Sequence, residues 1–131
     1  MAIIIVKNLK GFQKEIKNNF YAKDNKYNAI RATYNCRSYH SLLEAKYAYE
    51  LDLRKNAKDI KEWKPQVKIS IDVNGEHICN YIVDFKVIHN DGSIELIEVK
   101  GFVTDIFKLK EKLLRATYLK ENPLIKYTII Y

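Results

Sequence analysis

The order of apolar and polar residues predicts an α/β domain made of a helix, three strands, a second helix and a last strand. A period-two segment, Val67 to Val73, runs into Asn74-Gly75, which is a strong signal for a hairpin turn. A helical segment after Gly101 is stopped by Asn122-Pro123. A helix at that point can cross over the sheet and set the last strand parallel to the third. We therefore expect a mixed four-stranded sheet flanked by helices.

The first helix of this core is predicted from Ser41 to about Lys55. Ser41-Leu-Leu-Glu44 has the form of a capping box, and Leu43, Tyr47 and Leu51 follow at four-residue steps. Two further strands are expected at residues 78–88 and 93–100, joined by a turn at Asn90-Asp-Gly92. These strands and the one before Asn74 form an antiparallel meander.

The second helix is predicted to begin after Thr104, a suitable N-cap residue. Its apolar stripe is predicted to consist of four residues at helical spacing: Ile106, Leu109, Leu113 and Ala116. The stretch from Leu124 to Tyr131 is predicted as the last strand.

Positive charge is concentrated before this core. The 131 residues carry a formal net charge of +7, and eight basic against two acidic residues lie in residues 1–40. We treat residues 1–40 as a basic N-terminal arm and residues 41–131 as the core. Within the arm, apolar residues between Leu9 and Phe20 predict a basic amphipathic helix, and Tyr21 to Tyr39 is predicted to be an irregular connection. Basic charge interleaved with aromatic rings favours a nucleic-acid partner.

Composition excludes several other classes of protein. Cys36 and Cys79 have no neighbouring cysteine or histidine at zinc-ligand spacing, so neither a disulfide framework nor a structural zinc is expected. The apolar run at residues 3–6 is too short for a signal peptide or a membrane span. We expect a cytoplasmic protein that does not bind membranes.

The candidate chemistry lies on the second and third strands. Asp84 stands in the middle of an apolar strand, where a carboxylate costs several kcal/mol unless it is paired or binds a metal. A turn centred near Asp91 pairs Asp84 with Glu98, and Lys100 shares the face of Glu98 because side chains alternate along a strand. Two carboxylates, the Val99 carbonyl and water would suit Mg²⁺ or Mn²⁺.

This pattern of an Asp followed by Glu-x-Lys on the next strand resembles the signature of the PD-(D/E)XK nuclease superfamily, although Val83 replaces its proline. The chain is more specifically similar to a small, mostly phage-encoded subfamily. The matching segments, in chain order, are Lys26-Tyr-Asn-Ala29, Tyr39-His-Ser41, Leu43-Glu-Ala45, Gln66-Val67, Asp84-Phe85, Glu98-Val-Lys-Gly101 and Phe107-Lys-Leu-Lys-Glu-Lys112. His40 stands where some members have an Asp.

The resemblance implies a restriction-endonuclease-like core and a metal-dependent DNA endonuclease of phage or mobile-element origin. Asp84, Glu98 and the Val99 carbonyl would hold the metal, and Lys100 would position water or stabilise charge. It implies two further site residues. Glu44 matches a helical metal ligand, although its place in the capping box is a complete alternative explanation. Gln66 matches a residue that contacts the scissile phosphate or a water, and a structural loop amide is its alternative.

DNA contacts are expected from basic residues on the second helix and in the arm: Lys108, Lys112 and Arg115, with Lys26, Arg31 and Arg37. Two alternative functions stay open. One is a resolvase of Holliday junctions or other branched DNA, with a role in DNA recombination, and the other is a catalytically silent DNA-binding module. A homodimer is the alternative to a monomer, because cutting both strands generally needs two sites.

Overall fold

The computed structural model describes residues 21–24 and 30–131. The chain forms two compact units, Met1–Tyr49 and Glu50–Tyr131. The boundary between them falls inside helix α1, Leu42–Asn56. The predicted helix at residues 9–20 lies outside the described residues.

The described part of the first unit contains a three-stranded antiparallel sheet. Its strands are β1 (Tyr21–Asp24), β2 (Ile30–Tyr34) and β3 (Arg37–Tyr39), in that order. The prediction of an irregular connection from Tyr21 to Tyr39 was therefore wrong. Strands of three to five residues with mixed polar composition are too short to display an alternating pattern.

The turn between β2 and β3 gave a weak sequence signal. Asn35 and Cys36 both have positive φ, 47° and 61°, which is the backbone of a two-residue turn whose twist matches antiparallel strands. Asparagine is common in such a turn, but glycine rather than cysteine is the usual second residue. The Cys36 side chain is exposed and its thiol is free, so it is not in a disulfide.

Helix α1 begins as predicted. Ser41 Oγ accepts a hydrogen bond from the Glu44 backbone N–H at 3.1 Å, which satisfies one of the amide groups left unpaired in the first helical turn. The helix buries Ala45, Ala48 and Leu51, whereas Leu43 is exposed. A hydrogen bond connects the C-terminal half of the helix to the next strand: the Trp63 indole N–H donates to Asp52 Oδ1 at 3.0 Å.

The second unit is built on a four-stranded sheet in the order β4-β5-β6-β7. Strands β4 (Glu62–Val73), β5 (Glu76–Ile88) and β6 (Ile94–Val99) are antiparallel neighbours, and β7 (Lys126–Ile130) pairs parallel to β6. Helices α2 (Asp105–Ala116) and α3 (Tyr118–Glu121) form the crossover. The predicted α/β class, element order and mixed sheet are confirmed.

The turns that fix the sheet register also follow the prediction. Asn74 and Gly75 have φ of 51° and 81°, and they connect Val73 directly to its partner Glu76. This is a two-residue hairpin turn in which both central residues need positive φ. At the next turn, Asp91 Oδ1 accepts hydrogen bonds from both the backbone N–H and the hydroxyl of Ser93.

Helix α2 packs on the sheet through a different stripe from the predicted one. Thr104 caps the helix as expected, since its Oγ1 accepts from the Phe107 N–H at 3.1 Å. The buried residues are Phe107 and Leu114, which join a core that also contains Ile69, Ile71, Tyr81, Val83 and Leu96. Of the predicted stripe only Leu113 is partly buried, whereas Ile106, Leu109 and Ala116 are exposed. Two apolar stripes overlap on this helix, and contact with the sheet decides which one faces inward.

Among the residues that the structure describes, no helix is both long enough and apolar enough to cross a membrane.

Candidate active site

Two buried carboxylates come together where β5 and β6 run side by side. Phe85 pairs with Ile97 and Lys86 with Leu96, and continuing this register by one residue sets Asp84 opposite Glu98. The register is the one predicted from the turn near Asp91. Val83, Asp84 and Phe85 are all buried, so Asp84 lies in the interior of the unit, although Ile82 beside them is exposed.

Backbone and side-chain contacts hold the two acids in different ways. Asp84 Oδ2 accepts a hydrogen bond from the Val99 backbone N–H at 2.8 Å. Glu98 Oε1 lies 2.8 Å from Lys100 Nζ in an ion pair, and the lysine side chain is about a quarter exposed. The structure therefore brings together Asp84, Glu98, Val99 and Lys100, four of the predicted site residues.

The backbone hydrogen bonds on either side of Val99 indicate the direction of its carbonyl. In an extended strand the N–H and C=O of one residue project toward the same edge. The Val99 N–H points to Asp84 on β5, whereas the Lys100 N–H donates to the Ile130 carbonyl on β7 at 2.7 Å. The carbonyl of Val99 is thus directed to the β5 side, where the carboxylates lie.

Burial and the neighbouring charge of Asp84 both oppose ionisation of the Glu98 side chain. Burial, followed by the charge of Asp84, raises the pKa of Glu98 from 4.5 to about 6, although Lys100 acts in the opposite direction. The side chain is 3% exposed, and among the described residues its Oε2 has no hydrogen-bond partner. A buried carboxylate oxygen in this state is well suited to a cation.

At this point the described residues provide two carboxylates and not a complete set of side-chain metal ligands. No group of three or more His, Cys, Asp or Glu side chains spaced to hold a metal occurs in the described parts of the chain. A hard cation that keeps several waters needs only one or two protein carboxylates, so the pair fits Mg²⁺ and a carbonyl adds a third oxygen.

Gln66 lies on β4 opposite Asp84 of β5, and its backbone conformation is unusual. Pro65 pairs with Phe85 and Val67 with Val83, and Gln66 between them is left out of the ladder. Its φ is 49°, in the left-handed region that residues other than glycine rarely adopt. Such strain is concentrated at functional sites, and here it occurs on the strand next to the candidate carboxylate.

Glu44 belongs to the first unit, where it takes part in the cap of α1. Its Oε2 accepts from the His40 backbone N–H at 3.4 Å, and the Ser41 hydroxyl donates to its Oε1 at 3.5 Å. The capping-box alternative is therefore present in the structure, with the His40 amide in place of the expected Ser41 amide. Glu44 is also buried, as are Ala48 and Leu51. These contacts do not test the ligand role that the resemblance implies for Glu44, so that role stays a prediction.

The predicted DNA-contacting residues are exposed wherever their side chains are described. Lys108 is paired with Asp105 at 3.2 Å and Arg115 with Glu111 at 2.8 Å, whereas Lys112 lies on the same helix surface. Arg37 is exposed on β3, Arg31 lies on β2, and Lys26 lies outside the described residues.

Sequence reasoning missed two aromatic supports of the site. The Lys100 ammonium lies 4.6 Å from the centre of the Phe107 ring, so α2 helps to hold the active-site lysine. The hydroxyls of Tyr81 and Tyr127 are 2.9 Å apart, and burial together with the charge of Glu98 raises the pKa of both. Tyr81 lies in the second strand of the predicted meander, but its partner Tyr127 on β7 is distant in sequence.

A second polar cluster, near the turn between β4 and β5, does not form a catalytic triad. The Ser70 hydroxyl and Asp72 Oδ1 each lie 2.9 Å from the same ring nitrogen, Nδ1 of His77. A triad needs the serine and the aspartate on opposite nitrogens of the imidazole. The carboxylate pair is therefore the stronger candidate site.

The Glu98→Gln protein is expected to be more stable than the wild type without metal. Because the folded pKa of Glu98, about 6, exceeds 4.5, ionisation opposes folding. The penalty is fully present above about pH 6 and vanishes below about pH 4.5, and it amounts to about 2 kcal/mol. Denaturant unfolding in chelator at about pH 8 and pH 4 measures the difference. The exposed control Glu76→Gln should change little, and a Glu98→Gln protein less stable at the higher pH would contradict the assignment.

The comparisons with known proteins give a family for the chain. The family model described as "Protein of unknown function (DUF1064)" matches residues 24–128. The comparison with curated proteins found no match, and neither did the comparison with solved structures. Because that model covers most of the sequence, including β4, β5, β6, the start of β7 and both members of the carboxylate pair, the chain belongs to the DUF1064 family.

Proposed function

We propose that this protein is a metal-dependent DNA endonuclease of the PD-(D/E)XK type. The observation that carries the proposal is the buried pair of Asp84 and Glu98 on adjacent strands, with Lys100 in an ion pair with Glu98. A structural role explains this arrangement poorly, because burying two carboxylates side by side costs free energy, and the pKa of Glu98 stays above its ordinary value even with Lys100 beside it. Like-charged acids kept together at such a cost are characteristic of functional sites.

Asp84, Glu98 and the Val99 carbonyl are the groups that would hold Mg²⁺ or Mn²⁺. When bound, the cation supplies Lewis acidity toward a phosphate oxygen and lowers the pKa of water. The unpartnered Oε2 of Glu98 and the raised pKa of that group are the two observations that favour a cation here. Glu44, which belongs to the first unit, is proposed as a third ligand only because the resemblance implies that role.

The chemical step is hydrolysis of a phosphodiester. The oxygen of water forms a bond to phosphorus while the bond to the leaving oxygen breaks, and the proton lost by water is balanced by one that the leaving oxygen gains from solvent. Lys100 has two roles in this step: its ammonium orients the attacking water and offsets charge on the phosphoryl oxygens. Glu98 and the Phe107 ring hold that ammonium in position.

DNA is the proposed polymer because the chain carries a formal charge of +7 and exposes basic residues on α2. Gln66 is the proposed contact of the scissile phosphate or of a water, and two observations support a role beyond packing: its position opposite Asp84 and its strained backbone. Cleavage of branched DNA and binding without cleavage are the alternatives that the assay must separate.

The decisive experiment combines cleavage with metal binding. Purified protein is incubated with supercoiled, linear and branched DNA in Mg²⁺, Mn²⁺ or excess chelator, and Mn²⁺ binding is measured by calorimetry. We expect cleavage only with metal, and thermal stabilisation by Mn²⁺ in the wild type but not in Glu98→Gln. DNA binding without cleavage under every condition would instead favour a silent binding module.

The Glu44→Gln protein is expected to fold normally and to cleave DNA much more slowly at limiting Mg²⁺. Glutamine preserves the hydrogen bond from the Glu44 backbone to Ser41 and can still accept from the His40 amide, so the helix cap survives. A ligand, by contrast, loses the charge that its cation needs, and higher Mn²⁺ should restore part of the rate. Rates are measured over a metal titration beside the exposed control Glu121→Gln. Wild-type rates at limiting Mg²⁺ would leave Glu44 with the cap alone.

A further inference from the structure

An apolar ridge lies on the surface immediately after the active-site strand. It consists of Phe102, Ile106 and Leu109, which are 81%, 71% and 60% exposed. Phe102 is in the loop that joins β6 to α2, and the other two residues are on α2. Isolated exposed apolar residues are common, but here Ile106 and Leu109 lie one turn apart on α2 and Phe102 precedes them in the adjoining loop, and such a group of exposed apolar residues suggests a partner.

The ridge adjoins the candidate site. Phe102 follows Lys100 by two residues, and Phe107, whose ring lies under the Lys100 ammonium, comes directly after Ile106. The same turn of α2 therefore places one aromatic ring inward against the lysine and an apolar side chain outward. A substrate phosphate held near Lys100 would have its neighbouring nucleotide within reach of Phe102.

The charge around the ridge favours DNA over a second copy of this chain. Residues 101–120 hold five basic and two acidic residues, and Lys108 and Lys112 are exposed beside the ridge. Two such surfaces brought together in a symmetric dimer would repel each other. A nucleic acid provides both complements, because its phosphates are negative and the faces of its bases are apolar.

The apolar character also indicates which state of DNA fits. In an intact duplex the base faces are stacked and only their edges and the backbone are accessible. A phenylalanine gains from contact with a base only where the base is unpaired or the step is opened.

We propose that Phe102, supported by Ile106, stacks on an unpaired base next to the phosphate that Lys100 contacts. The enzyme would then prefer DNA with unpaired nucleotides at the cut, such as gaps, flaps or branch points, over continuous duplex. This inference rests on the proposed nuclease function and specifies its substrate class.

The test measures binding and cleavage separately. Binding is followed with the Asp84→Asn protein on duplex and on gapped DNA that carries 2-aminopurine at the unpaired position, a base whose fluorescence falls when it is stacked. We expect gapped DNA to bind more tightly and the fluorescence to be quenched. Adding Phe102→Ala should weaken gapped binding roughly tenfold and remove the quenching, with duplex binding unchanged. Phe102→Leu should lose the quenching as well.

Leu124→Ala is the matched control. Leu124 is 92% exposed but precedes β7, whose first residue pairs with the opposite end of β6, so this change should leave binding and quenching intact. Equal loss of duplex and gapped binding in Phe102→Ala, or unchanged quenching, would overturn the inference. So would a shift from dimer to monomer in Phe102→Ala, since the ridge would then be a subunit contact.

Cleavage by the wild-type protein tests the nuclease function and the preference for unpaired nucleotides separately. The inference would be wrong if the protein cut duplex and gapped DNA with no preference that depends on Phe102. The nuclease proposal would not be affected by that result. Absence of cutting on every substrate would overturn the nuclease proposal, and the substrate class with it.

Discussion

The Asp84→Asn protein is expected to lose DNA cleavage by roughly 10³-fold or more while keeping its fold and its affinity for DNA. Asparagine has nearly the same shape, and its amide oxygen can still accept the hydrogen bond that the Val99 N–H gives to Asp84. What disappears is one of the two buried negative charges that a cation at this site requires. Cleavage in Mg²⁺, Mn²⁺ calorimetry and DNA binding in chelator measure the three quantities independently.

The control for this experiment is Asp72→Asn in the same sheet. Asp72 is exposed near the turn between β4 and β5, so its neutralisation changes net charge equally without touching the carboxylate pair. It should cleave DNA at nearly the wild-type rate. Full activity of Asp84→Asn at matched purity would show that the metal site has been wrongly assigned.

The Lys100→Met protein is expected to bind Mn²⁺ with at least wild-type affinity and to cleave DNA roughly 10² times more slowly. Methionine preserves most of the side chain that packs on Phe107 but removes the ammonium beside Glu98. The carboxylates then keep their attraction for a cation, whereas the reacting phosphate loses its positively charged neighbour. The combination of intact binding and slow turnover separates a catalytic role from a ligand role.

A control variant and a metal-binding measurement test the catalytic role of Lys100. Lys120→Met, an exposed substitution on α3, removes the same charge elsewhere and should reduce cleavage only slightly. If Lys100→Met fails to bind Mn²⁺ although it is folded, the lysine acts by organising the carboxylates, and our assignment of its role is incorrect. Metal-free Lys100→Met should also be less stable than the wild type, because Glu98 stays buried without its partner.

The carboxylate pair illustrates a conflict between stability and the proposed activity. Burial of Glu98 beside Asp84 raises the Glu98 pKa and destabilises the metal-free fold at neutral pH. Replacement of Glu98 by glutamine should therefore stabilise the protein and inactivate it. A site that opposes folding when empty and favours it when a ligand binds is common where function requires charge in the interior.

Local sequence signals were sufficient to predict the hairpin turns and the starts of two helices. Asn74-Gly75 set the first hairpin, and the turn at Asp91 set the register that brings Asp84 opposite Glu98. Thr104 and Ser41 marked the starts of two helices, and both cap through their side chains. Each of these signals depends on residues a few positions apart, which is why it can be recognised without any knowledge of the tertiary structure.

Other features depended on contacts that sequence patterns do not encode. Helix α2 carries two overlapping apolar stripes, and only packing against Leu96 and Val83 selects Phe107 and Leu114 for the core, which leaves Ile106 on the surface. Strands β1 to β3 are too short to show a periodic pattern. Their pairing depends on contacts between the strands and on a turn whose second residue is atypical, and neither is visible as a sequence pattern.

The sequence by itself determined the order of elements, the turn positions and therefore which carboxylates face each other, because strand alternation and turn geometry are local properties. Only the tertiary structure decided how buried those carboxylates are, that Glu98 Oε2 lacks a hydrogen-bond partner among the described residues, and that Phe107 supports Lys100. These depend on surfaces brought together from β5, β6 and α2, since desolvation and charge coupling arise from neighbours in space rather than in the chain.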